Sequence, residues 1–118
     1  MISQKPYLIR AIYEWCEDNN FTPYLATHVD ENTMVPMEYV ENNQIVLDIS
    51  FHATKNILMD NEWITFKASF GGINQDVAVP IGNVLAIFAK ENGQGMQFNL
   101  EQSNKKPKNT NSGLRLVK

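Results

Sequence analysis

Apolar positions follow two different periods along the chain, and the first period predicts a helix. Residues 6–18 carry apolar side chains at the spacing i, i+3, i+4 and i+7 that is typical of an amphipathic helix. These side chains are Leu8, Ala11, Ile12 and Trp15. Pro6 suits the first helical position because its missing N–H has no partner inside a helix. A second, partly apolar stripe of Tyr7, Ala11 and Glu14 lies beside the first, and we expect it to pack on another subunit.

From Thr22 to Phe98 the apolar residues alternate with polar ones, which predicts short β-strands. Segment 51–61 is expected to be irregular and segment 81–83 to be a short connector. The apolar run 84–90 fits a helix or a buried strand, and the β-rich run before it favours a strand. The predicted strands are 24–30, 35–40, 44–50, 62–70, 75–80, 84–90 and 96–98. This pattern predicts a mainly β domain, a sandwich or a small barrel, preceded by one helix.

The composition separates a body, residues 1–101, from a C-terminal segment. A chain of 118 residues fits one domain. Residues 102–113 contain no apolar residue except one proline, so we predict a disordered linker, because such a segment buries too little surface to offset the entropy of ordering. The chain ends in an apolar cluster between cations, Leu114, Arg115, Leu116, Val117 and Lys118. Two interpretations stay open: a docking motif, or an incidental terminus or last strand that packs back on the body.

The formal charge of −3 hides a strong asymmetry. Residues 1–101 carry thirteen acidic and five basic side chains, hence a charge of −8. Residues 102–118 carry five basic side chains and no acid, hence +5. The acidic body is a poor phosphate binder, since nucleic-acid affinity depends mostly on Lys and Arg at the backbone. The C-terminal segment suits an acidic partner.

The sequence contains no recognisable catalytic or metal-binding pattern. His28 and His52 have no cysteine or carboxylate at metal-ligand spacing. Cys16 lies on the predicted helix, where a buried thiol acts as a small hydrophobic group. Gly71 and Gly72 lack the spacing of a nucleotide-binding loop, and we interpret them as a turn that requires positive φ. An enzyme is therefore the weaker class of function, and no cofactor or metal is expected.

The single cysteine and the absence of long apolar runs indicate a cellular compartment. One cysteine permits no intramolecular disulfide. No secretory signal is recognisable at the N-terminus, and no stretch approaches the roughly 18 apolar residues that a membrane span needs. We therefore expect a cytoplasmic protein that does not enter a membrane.

Ala68 stands out among large neighbours on the apolar face of the predicted strand 62–70. The same face carries Ile64, Phe66 and Phe70. A small residue there is either plain packing or the floor of a shallow groove. An extended peptide fits such a groove, with main-chain hydrogen bonds supplying affinity and side-chain pockets supplying specificity.

Several long blocks of the sequence resemble the stringent starvation protein B family, SspB, and occur in the right order. The likeness runs from residue 5 to residue 98 and resumes at 114–118. The blocks are KPYLIRAIYEW from Lys5, VPMEY from Val35, QIVLDI from Gln44, FGGI from Phe70 and VPIGNVLAIFAKENG from Val79.

This resemblance implies a protease adaptor with no catalytic activity of its own. The family binds the ssrA degradation tag, which is added to polypeptides from stalled ribosomes, and delivers the tagged chains to the AAA+ protease ClpXP. Its fold is an Sm-like β-barrel preceded by a helix, and the helix forms the homodimer contact. A tail motif docks on the N-terminal domain of ClpX.

Carried over to this sequence, the resemblance places the tag-binding groove at Ala68 and on adjoining strand faces. The other expected groove residues are Leu47, Ile49, Phe66, Phe70 and Gln75. It also implies that Tyr7 and Ala11 form the dimer contacts.

The resemblance assigns the ClpX-docking motif to residues 114–118. The family form reads Leu-Arg-Val-Val-Lys, so Leu116 is a mild departure. Family tails are usually much longer and acidic, whereas the linker 102–113 is short and basic. A flexible linker of this length spans only about 20 Å.

An RNA-binding Sm-like barrel is the alternative from another class. The −8 body argues against it and the +5 segment mildly for it. Nucleic acid is therefore disfavoured as a partner, and a steep loss of RNA affinity with salt would distinguish this alternative.

Overall fold

The computed structural model describes residues 2–100, so the predicted linker 102–113 and motif 114–118 lie outside the described residues. Within this range, one helix, α1, spans Lys5–Asp18. The strands are β1 Pro23–His28, β2 Gln44–Asp48, β3 Lys55–Met59, β4 Trp63–Phe70, β5 Ile73–Pro80, β6 Val84–Ala89 and β7 Gly95–Gln97. Short 3₁₀ helices occupy Met37–Tyr39 and Ile81–Asn83. The predicted class, mainly β with one N-terminal helix, is confirmed.

The strands form two antiparallel sheets that cover a shared core. The larger sheet has the order β2-β1-β6-β7, and the smaller sheet has the order β3-β4-β5. The chain passes between the sheets from β2 to β3, and again from β5 to β6 through the 3₁₀ helix Ile81–Asn83. Strand pairing within residues 2–100 does not close the sheets into a complete barrel. The arrangement is nevertheless compatible with the Sm-like barrel that the resemblance implies.

The core joins both sheets to the helix. Ile9 of α1, Leu25 and Ile87 of the larger sheet and Ile64 of the smaller sheet are all 0% exposed. Burial of each such side chain contributes about 1.5–3 kcal/mol of transfer free energy. The buried hydroxyl of Thr27 donates a hydrogen bond to a backbone carbonyl of the second 3₁₀ helix, so this polar group is buried without an unpaired donor.

The helix buries a different stripe from the one we predicted. Ile9 and Cys16 are 0% exposed, and Ile12 and Tyr13 pack against the core. Ala11, which belongs to both predicted stripes, is exposed, as the second stripe requires and the first does not. Both stripes have the same helical spacing and differ by one residue in phase, so periodicity alone did not separate them. Burial of Cys16 confirms its interpretation as a small hydrophobic group.

Two strand predictions were wrong. Segment 35–40 forms no strand: an isolated bridge joins Met34 to Ala78, and a 3₁₀ helix begins after Pro36, whose carbonyl accepts the N–H of Tyr39 at 3.1 Å. Segment 51–61 contains β3, which the irregular pattern concealed. β3 is an edge strand with an irregular register and a positive φ of 56° at Asn56, so it shows no regular apolar alternation.

Other local predictions are confirmed. Segment 84–90 is a strand and not a helix, and 81–83 is a 3₁₀ turn. Gly71 and Gly72 join β4 to β5 with φ values of 60° and 85°. Positive φ at both positions is the geometry of the two-residue turns that match the twist of paired strands.

Candidate peptide-binding site

Side chains on the inner face of β4 become more exposed to solvent from the start of the strand to its end. Ile64 is 0% exposed and Phe66 is 4% exposed, whereas Ala68 and Phe70 are half-buried. The same gradient occurs on β5, where Gln75 lies opposite Ala68. On this face, the two cross-strand pairs nearest the turn, Ala68–Gln75 and Phe70–Ile73, therefore lie at the edge of the core, where a ligand can reach them.

An aromatic side chain from outside the hairpin flanks this opening. The ring of Tyr39 lies 5.9 Å from the ring of Phe70, and its hydroxyl lies 3.4 Å from the position that a Cβ of Gly71 would take. Tyr39 is 50% exposed, and Ile73, which lies opposite Phe70, is 65% exposed. We call the group Ala68, Phe70, Ile73, Gln75 and Tyr39 the hairpin margin.

The backbone beside the hairpin margin is an edge of the smaller sheet. Ala78 of β5 exchanges two hydrogen bonds with Met34, at 2.8 and 2.9 Å. The N–H and C=O of Ala78 therefore face away from β4, and those of Asp76 and Asn74 face the same way because orientation alternates along a strand. In residues 2–100 the Met34 contact is an isolated bridge and not a continuing strand. This edge can pair with an added extended chain.

The structure divides the six predicted groove residues into two sets. Ala68, Phe70 and Gln75 lie together at the hairpin margin. Leu47, Ile49 and Phe66 are 2%, 0% and 4% exposed and belong to the core cluster against which Ala68 and Phe70 pack. These buried side chains pack under the margin, and almost none of their surface is accessible to a ligand.

Sequence reasoning missed Tyr39 and Ile73 as members of the margin. The available signal was that VPMEY places apolar side chains in a segment that begins with proline, which is disfavoured inside a sheet. Met37, in the same turn, is 62% exposed. Assigning this segment to a strand concealed its exposed apolar side chains.

The predicted dimer residues lie on the solvent side of α1. Tyr7 is 51% exposed, and Ala11 is exposed one turn later, followed by Glu14. The guanidinium of Arg10 lies 4.8 Å from the Tyr7 ring and donates a hydrogen bond to the side-chain oxygen of Asn61 at 3.1 Å. The helix face is thus continuous with the turn between β3 and β4.

The described residues contain neither a cluster of metal-ligating side chains nor an activated thiol. No group of three or more His, Cys, Asp or Glu within residues 2–100 is arranged to hold a metal ion. Burial, with the nearby carboxylates of Glu91 and Glu17, raises the pKa of the Cys16 thiol. A raised pKa disfavours the thiolate, which is the nucleophilic form. The margin offers apolar contact beside a strand edge that, within residues 2–100, pairs only through the Met34 bridge.

Comparison with known proteins assigns the chain to a family. A family description of stringent starvation protein B matches residues 3–115, which is nearly the whole chain. The chain belongs to this family. A relative from Haemophilus influenzae, described as a stringent starvation protein B homolog, is 47% identical over 102 residues, covering 84% of this chain and 67% of the relative. The stringent starvation protein B resemblance read from the sequence blocks is thereby confirmed.

The helices of the described residues can be compared with the dimensions of a membrane span. None of the helices in residues 2–100 combines the length and the apolarity that crossing a bilayer requires.

Proposed function

We propose that this protein is a cytoplasmic, non-catalytic adaptor of the ClpXP protease. It binds the ssrA tag of polypeptides from stalled ribosomes at the hairpin margin. Its C-terminal motif, residues 114–118, docks on the N-terminal domain of ClpX. Family membership supports the proposal at the level of the family, and the particular partners are inferred from the resemblance.

The observation that carries the proposal is the partial exposure of Ala68 at the end of a buried face. Ile64 and Phe66 close the same face completely, so the small side chain of Ala68 lies where the core surface first meets solvent. An apolar residue of an extended tag packs into this space. The tag backbone pairs with the edge of β5 at Asn74 and Asp76, which supplies affinity without dependence on side chains.

The two contacts act together through a tether. A substrate held at the margin and a ClpX domain held by residues 114–118 meet in an effectively intramolecular encounter, at an effective concentration in the millimolar range for a short linker that spans the sites. Two protomers supply two such segments if Tyr7 and Ala11 form the dimer contact. Each contact can therefore be weak, which permits the substrate to be released into the protease.

A titration of a fluorescent ssrA-tag peptide, followed by anisotropy, tests the proposal. We expect saturable binding of the tag and much weaker binding of a peptide with the same composition in scrambled order. Equal, poor binding of both peptides by folded protein would contradict the proposal. Adding single-stranded RNA at several salt concentrations tests the alternative: binding that weakens steeply with salt would favour the RNA-binding barrel.

A further inference from the structure

Lys5, at the start of α1, is a buried lysine whose side chain contacts two segments that are distant in sequence. It is 4% exposed. Its Nζ donates hydrogen bonds to the carbonyl oxygens of Gly82 and Asn99, both at 3.1 Å, and lies 5.5 Å from the centre of the Phe98 ring. Burial of an ammonium group costs several kcal/mol unless hydrogen bonds replace its water, so these contacts help to accommodate a lysine at this position.

The three contacts join parts of the chain that are far apart in sequence. Gly82 belongs to the 3₁₀ helix between β5 and β6, and its neighbours Ile81 and Asn83 are 4% and 6% exposed. Gly82 is therefore held between two buried residues. Phe98 and Asn99, in contrast, follow the short strand β7 and directly precede the C-terminal segment.

Besides the packing of Phe98 on the core, two hydrogen bonds to main-chain groups hold the chain after β7 within the described residues. The N–H of Phe98 donates to the carbonyl of Leu85 at 2.8 Å, and the carbonyl of Asn99 accepts from Lys5. The second bond is the last one before residue 101. It is made by the first residue of α1, the helix that carries the exposed Tyr7 and Ala11.

We infer that Lys5 is a positioning residue for the end of the described chain: it fixes Phe98 and Asn99, which precede residues 101–118 in sequence, beside the first turn of α1. This inference needs only the contacts above. Its consequence for delivery rests on the proposed adaptor function. There, Lys5 sets where the tether begins, while the hairpin margin binds the tag independently.

Because the linker is short, the residue at which it begins affects the effective concentration of the docking motif. Releasing residues 98–101 would lengthen a linker of 12 residues by about a third, and effective concentration falls roughly as the −3/2 power of linker length. Complete release would lower the effective concentration about 1.5-fold, which is the upper limit of the effect. If the linker were lengthened by about 30 Gly/Ser residues, the same release would lower the effective concentration only about 1.1-fold.

The direct test is amide exchange of the full-length protein, measured by NMR. Lys5→Met keeps an unbranched apolar stem and removes the donor, and we expect it to accelerate exchange of the Phe98 amide about tenfold, as loss of about 1.4 kcal/mol of local stability implies. Lys5→Arg restores donors to both carbonyls and should return exchange toward the wild-type rate. Lys55→Met, at an exposed lysine on β3, is the matched control and should change nothing. Unchanged exchange at Phe98 in a folded Lys5→Met variant would overturn the inference.

The delivery consequence has its own readouts. In degradation of a tagged substrate by ClpXP, Lys5→Met should raise KM by no more than about 1.5-fold without changing kcat or the affinity for the tag peptide, and the long Gly/Ser linker should reduce that increase to about 1.1-fold or less. A KM increase that persists undiminished with the long linker would show a general structural defect and overturn the tether role. If the wild-type protein itself delivers no tagged substrate, the proposed function fails, whereas the exchange experiment still decides whether Lys5 anchors Phe98 and Asn99.

Discussion

Glu91 binds Thr22 through both carboxylate oxygens. Oε1 accepts the backbone N–H of Thr22 and Oε2 accepts its hydroxyl, each at 2.8 Å. The N–H of Lys90 returns a hydrogen bond to the Thr22 carbonyl at 2.8 Å. The connection from α1 to β1 is thus tied to the loop that follows β6. The hydrogen bonds from Thr22 lower the pKa of the Glu91 carboxyl, and the one from the backbone N–H has the larger effect.

A lowered pKa in the folded state predicts how stability depends on pH. The ionised Glu91 carboxylate stabilises the fold above the ordinary glutamate pKa of about 4.3, and this stabilisation is lost as the pH falls through the lower folded value. We expect Glu91→Gln to lower the thermal midpoint at neutral pH and to match the wild type in acid below that range. Thermal unfolding at a series of pH values measures this. Glu62→Gln is the exposed control, and an equal effect of both changes at neutral pH would contradict the assigned role of Thr22.

Ala68→Gln should block the hairpin margin without unfolding the protein. The position is half-buried at the rim of the core, so a longer polar side chain can turn toward solvent while it fills the space above Phe66. We expect tag-peptide affinity to fall at least about tenfold, or about 1.4 kcal/mol. Ser69→Gln, on the opposite face of β4, is the matched control and should bind normally. Unchanged affinity in Ala68→Gln would remove Ala68 from the binding site.

Deletion of residues 114–118 should separate the two contacts of the adaptor. The truncated protein keeps every described residue, so its tag-peptide affinity should equal that of the full chain. Enhancement of ClpXP degradation should be lost, because the tether no longer provides a second binding site. Anisotropy and a degradation assay on the same preparation measure both. Equal loss of both activities would argue against two separate contacts.

Ala11→Glu should dissociate the proposed dimer and leave the protomer folded. Ala11 is exposed on α1, and glutamate is a good helix former, so neither the core nor the helix is disturbed. A charge introduced at an apolar contact between two copies is strongly unfavourable without a partner. Sedimentation should show conversion from dimer to monomer in Ala11→Glu and no change in Ser69→Glu. A wild-type protein that sediments as a monomer would contradict the dimer assignment.

Gly95→Ala should destabilise the pairing of β7 with β6. A Cβ at residue 95 would overlap the carbonyl oxygen of Ile87 and the Cα of Phe88, both backbone atoms that cannot move aside alone. We expect a loss of about 1–3 kcal/mol in the free energy of unfolding, measured by chemical denaturation. At Gly93, φ is +74° with open space around the Cβ position, so Gly93→Asn should cost under about 0.5 kcal/mol, since asparagine tolerates that conformation. Equal costs at the two positions would contradict the steric explanation.

The sequence by itself determined the class of the fold and most of its local elements. The change of period near Thr22, the glycine pair at Gly71 and the alternation along 62–70 are local signals, because side-chain direction and positive φ depend on neighbouring residues alone. The long matching blocks also determined the family. These signals can be read without knowing which segments pack against each other in the core.

Only the tertiary structure decided which of these residues meet solvent. It selected the Ile9 stripe of α1 over the Leu8 stripe, and it placed Leu47 and Ile49 in the core while leaving Ala68 at its margin. It also brought Tyr39 against Phe70 and Lys5 against Asn99. The exposure of a residue and its long-range contacts depend on which other segments pack over it. Segments that are tens of residues away in sequence do not affect the local pattern of apolar and polar residues.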